Sequence, residues 1–219
     1  MKRAAQIAQR HGSFVQSHLA ESVDEVAWVH KLFPDFRNYT EIYQRAGLLG
    51  PRTILGHCIY LDDDELAMIK AADAAVAHCP TSNEALGNGR MPIERIRHAG
   101  IRWALASDLA GGPSLSMLQV MKTFLRVHAA AGFNFSPSGA LYRATLAGAE
   151  ILGLADRCGN LDVGKEANFL LLDGPAVSNP RDANEVLAAL CSCDETNFAG
   201  LILSAFFRGI LCPAALEPE

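Results

Sequence analysis

No C-x-x-C pair occurs among the six cysteines, Cys58, Cys79, Cys158, Cys191, Cys193 and Cys212. That spacing excludes a disulfide framework and a paired-thiol metal knuckle. Free thiols in a reducing cytoplasm are expected instead. Cys191-Ser192-Cys193 has no second pair to complete a metal shell. Basic runs are also lacking: 19 Lys and Arg face 24 Asp and Glu, for a net charge of −5. This argues against a nucleic-acid surface. No window approaches the ~18 uninterrupted apolar residues of a membrane span. The first residues carry Lys2, Arg3 and Arg10 without the apolar stretch of a signal peptide. They read as a helix running into a strand. Internal repeats and low-complexity segments are absent, and no His-x-His occurs among the seven histidines.

What is present is the balance of a globular protein, half hydrophobic and a fifth charged. The length suits one large domain or one and a half, ample for a buried core. A rhythm runs through the first half. β-rich runs at 13–19, 53–61, 74–80 and 101–108 alternate with helical patterns at 22–33, 39–49, 62–73 and 91–100. Acidic or capping residues open each helix, and glycine often follows its end. Four strand-helix repeats predict a parallel α/β sheet or barrel. The strand runs are nearly continuous in apolar or small residues, as expected where both faces are covered. Beyond Asp108, the spacing predicts two long helices, over 116–132 and 138–154. A small outer sheet follows, with extended runs in 158–173 and 199–211. A boundary near 155 divides a domain over 1–155 from a β-rich segment over 156–219.

Polar residues fall in register on this rhythm. His18 closes the first strand, His57 lies late in the second, His78 ends the third and Asp108 ends the fourth. The carboxyl ends of barrel strands form the rim that carries active sites. Histidines with an aspartate suit Zn²⁺ or Fe²⁺, with one position kept for water. Water held by such an ion ionises near neutrality. Glu21, three residues past His18, is placed to shuttle the proton. Hydrolysis at a planar carbon is the natural chemistry. His11, His30, His98 and His128 fall in helices or connections and read as structural.

"SHLAES", "GHCIYL", "AHCPTSN", "ALASDLAGG", "ATLAGAEILGL" and "GNLDVGKEAN" resemble the metal-dependent amidohydrolase superfamily. The link "LFPDFRNYTEIYQRAGLLGPRTILGHCIYLDDDEL" is similar to the guanine deaminase branch, over about residues 5–173. The resemblance implies the second half, strands five to eight, of a (β/α)8 barrel, with part of an outer β-sandwich. It implies His18 and Asp108 as metal ligands and Glu21, His57 and Asp108 as catalytic groups. His18, Glu21, His57, His78 and Asn83 would meet a purine, and guanine would give xanthine and ammonia. The family's usual Ala-Asp is Ala167-Asn168 here, and Glu84 stands where an apolar residue is customary.

The family's first strand carries His-x-His, which these residues lack. Deaminase activity is therefore not expected from the chain alone. A missing amino-terminal half or a homodimer would be the partner. Other readings stay open: a superfamily enzyme acting on cytosine, S-adenosylhomocysteine or a triazine, or a non-catalytic half-barrel that binds a partner.

Overall fold

The structure, a computed structural model, describes residues 1–174, 180, 182–193 and 195–203. Cys212 and the later part of the 199–211 run lie outside the described residues. The chain divides into two compact units, Met1–Leu115 and a second from Ser116 onward. This groups residues 116–154 with the tail, whereas the sequence pattern places them with the strands.

The first unit runs α1 (Lys2–His11), β1 (Val15–Leu19), α2 (Val23–Leu32), α3 (Tyr39–Arg45), β2 (Thr53–His57), α4 (Asp63–Ala71), β3 (Ala75–His78), α5 (Pro80–Ala85), α6 (Ile93–His98) and β4 (Arg102–Leu105). The strands form one sheet in the order β1-β2-β3-β4. Every pairing is parallel, with Val15 opposite Thr53, Ile54 opposite Ala75 and Ala75 opposite Arg102. Parallel neighbours need helical crossovers, and the alternation in the sequence supplies them. Leu19, Leu55, Val76, Ile69, Ile93 and Ile96 are fully buried, so the sheet and its helices share one core.

Local signals explain the helix starts. Ser22 and Glu25 form a reciprocal capping box on α2, and Asp62 and Glu65 form one on α4. Glu65 has a second task. Its Oε1 accepts from both the backbone N–H and the hydroxyl of Thr40, at 3.0 Å each. Two helix starts are thereby tied through one buried carboxylate. Buried Glu41 is met by Arg45 at 2.8 Å and by the Arg37 backbone N–H at 2.7 Å.

Several elements are shorter than their sequence patterns suggest. The run over 53–61 stops at His57 because His57 and Cys58 take left-handed φ of 67° and 52°. The third strand stops at His78, and Pro80 opens a short helix that the sequence pattern does not signal.

The second unit holds α7 (Met117–Ala130), α8 (Pro137–Ala144), α9 (Leu146–Leu152), β5 (Phe169–Leu172), α10 (Ala183–Leu190) and β6 (Phe198–Ile202). The helix expected over 138–154 is two. Thr145, with φ −132° and ψ −89°, breaks it, and its hydroxyl donates back to the Leu141 carbonyl at 2.7 Å. β5 and β6 pair antiparallel. The unanticipated α10 is capped by Asp182, which accepts from the N–H groups of Asn184 and Glu185. Val120, Phe124, His128 and Ala140 are fully buried in this unit. No helix among the described residues is long and apolar enough to cross a membrane.

Candidate active site at the carboxyl ends of the sheet

Each strand of the first unit delivers a polar group at or just past its carboxyl end. His18 is the penultimate residue of β1 and lies opposite Gly56 in the ladder. Its carbonyl accepts from the Tyr43 hydroxyl at 3.0 Å, which anchors the strand end while the imidazole stays about half exposed. Ala20, with φ 51°, then turns the chain toward Glu21. His57 is the last residue of β2 and is fully buried. Asp108 lies three residues past β4, with φ 52°.

These side chains converge. The His18 and His57 rings stack with centroids 5.1 Å apart. Nε2 of His18 is 3.7 Å from Oδ1 of Asp108, and Nε2 of His57 is 3.8 Å from its Oδ2. Glu21 Oε2 stands 3.6 Å from the same His57 Nε2. One donor atom each from His18, His57 and Asp108 lies within 4.8 Å of the others.

The donor set fits a divalent ion. His57 Nε2 is buried without a hydrogen-bond partner and faces two carboxylates. Its other nitrogen, Nδ1, lies 2.8 Å from Asn83 Oδ1. Two imidazoles and a carboxylate are zinc-type ligands, and catalytic zinc keeps a further position open. His57, assigned from the sequence to water or substrate, is thus also grouped with the metal donors.

Neighbouring residues hold the carboxylates. Ser82 donates to Asp108 Oδ2 at 2.6 Å. Asn88 donates its amide to Glu21 Oε1 at 2.7 Å, and Tyr60 donates to the Asn88 carbonyl at 2.7 Å. Glu21 therefore has one oxygen fixed and one directed at His57. A Cβ on Gly111 would lie 2.5 Å from Asp108 Oδ2, so only glycine lets the loop pass this close. The sequence pattern does not single out Ser82, Asn88 or Tyr60, because their partners are far away along the chain.

His78 and Asn83, expected to meet a purine, are 1% and 2% exposed. His78 packs edge-on against Trp103 at 6.4 Å, and Asn83 sits behind His57. Cys79, beside the site, has its thiol pKa pushed up to about 12, first by burial and then by the Asp108 charge. Burial likewise raises Cys58. Neither thiol offers a thiolate near neutral pH.

Residues 1–210 match the family described as the amidohydrolase family. The chain belongs to it. Among curated relatives, a guanine deaminase of Dictyostelium discoideum is 35% identical over 176 residues, covering 78% of this chain and 39% of that protein. Among solved structures, an Escherichia coli guanine deaminase superposes with a TM-score of 0.87 at 29% identity, over 93% of this chain and 49% of that one. A guanine deaminase from C. acetobutylicum, solved with bound guanine in its active site, gives a TM-score of 0.82 at 28% identity over 93% of this chain and 50% of that one. This amidohydrolase chain thus spans about half the length, or less, of the proteins it matches. Its parallel sheet matches these structural neighbours, and the histidine–aspartate cluster lies within the first unit.

Proposed function

We propose that this chain is the part of a guanine deaminase that carries Glu21 and the His18, His57 and Asp108 donors. In this reading β1 to β4 are strands five to eight of a (β/α)8 barrel, and β5 with β6 belong to an outer sandwich. The observation that carries it is the convergence of three strand ends, those of β1, β2 and β4, on one 4.8 Å donor cluster with a partly exposed carboxylate beside it. The likeness to guanine deaminases over most of the chain supports guanine as the substrate.

A zinc ion held by His18, Asp108 and His57 would polarise water and bring its pKa toward neutrality. Glu21 Oε2, the oxygen not held by Asn88, takes a proton from the attacking water and returns it to a purine ring nitrogen. His57 Nε2 and Asp108 flank the path of the attacking oxygen. The water oxygen bonds to the amidine carbon, the bond to the exocyclic amine breaks, and ammonia leaves with the second proton. Xanthine is the product.

The 219 residues contain no His-x-His, so a second segment completes the donor set in this reading. The test is guanine turnover, followed as xanthine, with added Zn²⁺. Assays compare the chain alone with the chain co-expressed with the preceding segment of the Escherichia coli enzyme. Turnover only in the co-expressed pair, lost in Glu21→Gln, is expected. Turnover by the chain alone would remove the requirement for a second segment. A reconstituted pair that deaminates cytosine but not guanine would overturn the substrate.

A further inference from the structure

The dipeptide Ser82-Asn83, in the short helix after β3, touches two different site residues. Ser82 is fully buried, and its hydroxyl donates to Asp108 Oδ2 at 2.6 Å. Asn83 is 2% exposed, and its Oδ1 lies 2.8 Å from His57 Nδ1. Both partners are 26 residues away, in opposite directions along the chain. One turn of helix between β3 and the rim thus reaches the ends of β2 and β4 at once.

We propose that Ser82 and Asn83 are positioning residues: Ser82 fixes the carboxylate of Asp108, and Asn83 fixes the tautomer of His57. The inference rests on the reading of His18, His57 and Asp108 as metal donors, and it concerns how they are prepared. An amide oxygen can only accept, so the proton of neutral His57 resides on Nδ1. The lone pair is then on Nε2, the buried atom that has no hydrogen-bond partner. Without Asn83 the preference reverses. Glu21 Oε2 and Asp108 Oδ2 stand 3.6 and 3.8 Å from Nε2, and two carboxylates there draw the proton to that nitrogen. A protonated Nε2 cannot bind a metal. Asn83 therefore holds the ring in its ligating form against the pull of its own neighbours.

Ser82 acts on the other donor. Asp108 has one oxygen occupied by the hydroxyl, while Oδ1 lies toward His18 at 3.7 Å. Outer residues that orient ligands in this way are worth about 10–100-fold in metal affinity.

The first experiment is a long-range ¹H–¹⁵N spectrum of the metal-free chain, reading the His57 ring nitrogens. A proton on Nδ1 in the wild type, moving to Nε2 in Asn83→Leu and staying on Nδ1 in Asn83→Asp, is expected. A wild-type ring protonated on Nε2 alone, the outcome if the Asn83 amide turned its nitrogen to His57, overturns the Asn83 assignment with no variant needed. The second is Zn²⁺ titration calorimetry on the chain co-expressed with the preceding segment of the Escherichia coli enzyme, in which the donor set is complete. Ser82→Ala should bind about 10–100-fold more weakly, with Ser82→Thr restoring the affinity. Wild-type affinity in Ser82→Ala overturns the Ser82 assignment. If the wild type itself binds no Zn²⁺, the metal reading fails and the Ser82 role with it, while the tautomer still decides for Asn83.

Discussion

The two ends of the four-stranded sheet are built differently. At the amino ends every named polar contact is closed. The buried Thr53 hydroxyl donates to the Leu48 carbonyl at 2.6 Å and accepts from Gly50 N–H at 3.0 Å. Arg102 meets the Asp73 carboxylate at 3.1 Å and the Pro51 carbonyl at 3.3 Å, and Arg52 stacks over Phe14 at 4.1 Å. At the carboxyl ends, Ala20, His57, Cys58, Asp108 and Ala110 all take left-handed φ without being glycine. Only Asp73 does so at the other end. Buried atoms without hydrogen-bond partners, His57 Nε2, Thr81 Oγ1 and Asn83 Nδ2, lie on the carboxyl side too. Strained backbone and unmet polar groups thus collect at the carboxyl rim, the place where folds of this kind commonly keep their functional sites.

Substitutions at each end can break this contrast. The largest effect is expected on ligand binding at the rim. Asp108→Asn should weaken Zn²⁺ binding by more than the about 100-fold upper range of a supporting residue. Asparagine keeps an acceptor for Ser82 and tolerates the left-handed backbone, so its unfolding free energy should move by about 1 kcal/mol or less. Calorimetry and urea unfolding on the same variant read the two numbers, and an equal loss in both would erase the distinction. At the amino end, Thr53→Val leaves the buried Leu48 carbonyl and the part-buried Gly50 N–H without this partner. It should cost about 1–3 kcal/mol in urea unfolding while Zn²⁺ affinity stays at the wild-type value.

A smaller gain is expected at Ala110, which is exposed with φ 75°. Ala110→Gly should stabilise the fold by about 1 kcal/mol, because glycine carries no left-handed penalty. Away from both ends, Glu41 gives a pH effect. The Arg37 backbone N–H, and then Arg45, hold its carboxyl below the ordinary 4.5 despite burial. A depressed folded value means that its stabilisation is fully present above pH 4.5 and is lost as pH falls through the lowered value. Urea midpoints measured between pH 6 and pH 3 should fall less steeply in Glu41→Gln than in wild type.

Much of the rim was legible because strand ends and apolar periodicity are local. The parallel order, and the placing of His18, His57 and Asp108 at the ends of β1, β2 and β4, follow from the alternation of elements. The supporting contacts were not legible. Glu21 and Asn88 are 67 residues apart, and Asp108 and Ser82 are 26 apart, so no local pattern announces either bond. The break at Thr145 was hidden for another reason. Threonine suits a helix well enough in composition, and only its back-bond to Leu141 marks the interruption. Asn83 has a polarity that suits a ligand-facing residue as well as it suits the buried partner of a histidine.

Gly56 sits beside His18 in the ladder, and a methyl group there would lie 3.3 Å from His18 Cδ2. The half-exposed imidazole would yield by a few tenths of an ångström, while the backbone of β1 would stay at ordinary contact distance, 3.6 and 3.8 Å away. A methyl group at Gly56 would therefore shift the His18 ring, one of the proposed donors, without replacing it. A single hydrogen-for-methyl exchange on one strand thus sets the position of a side chain on the next.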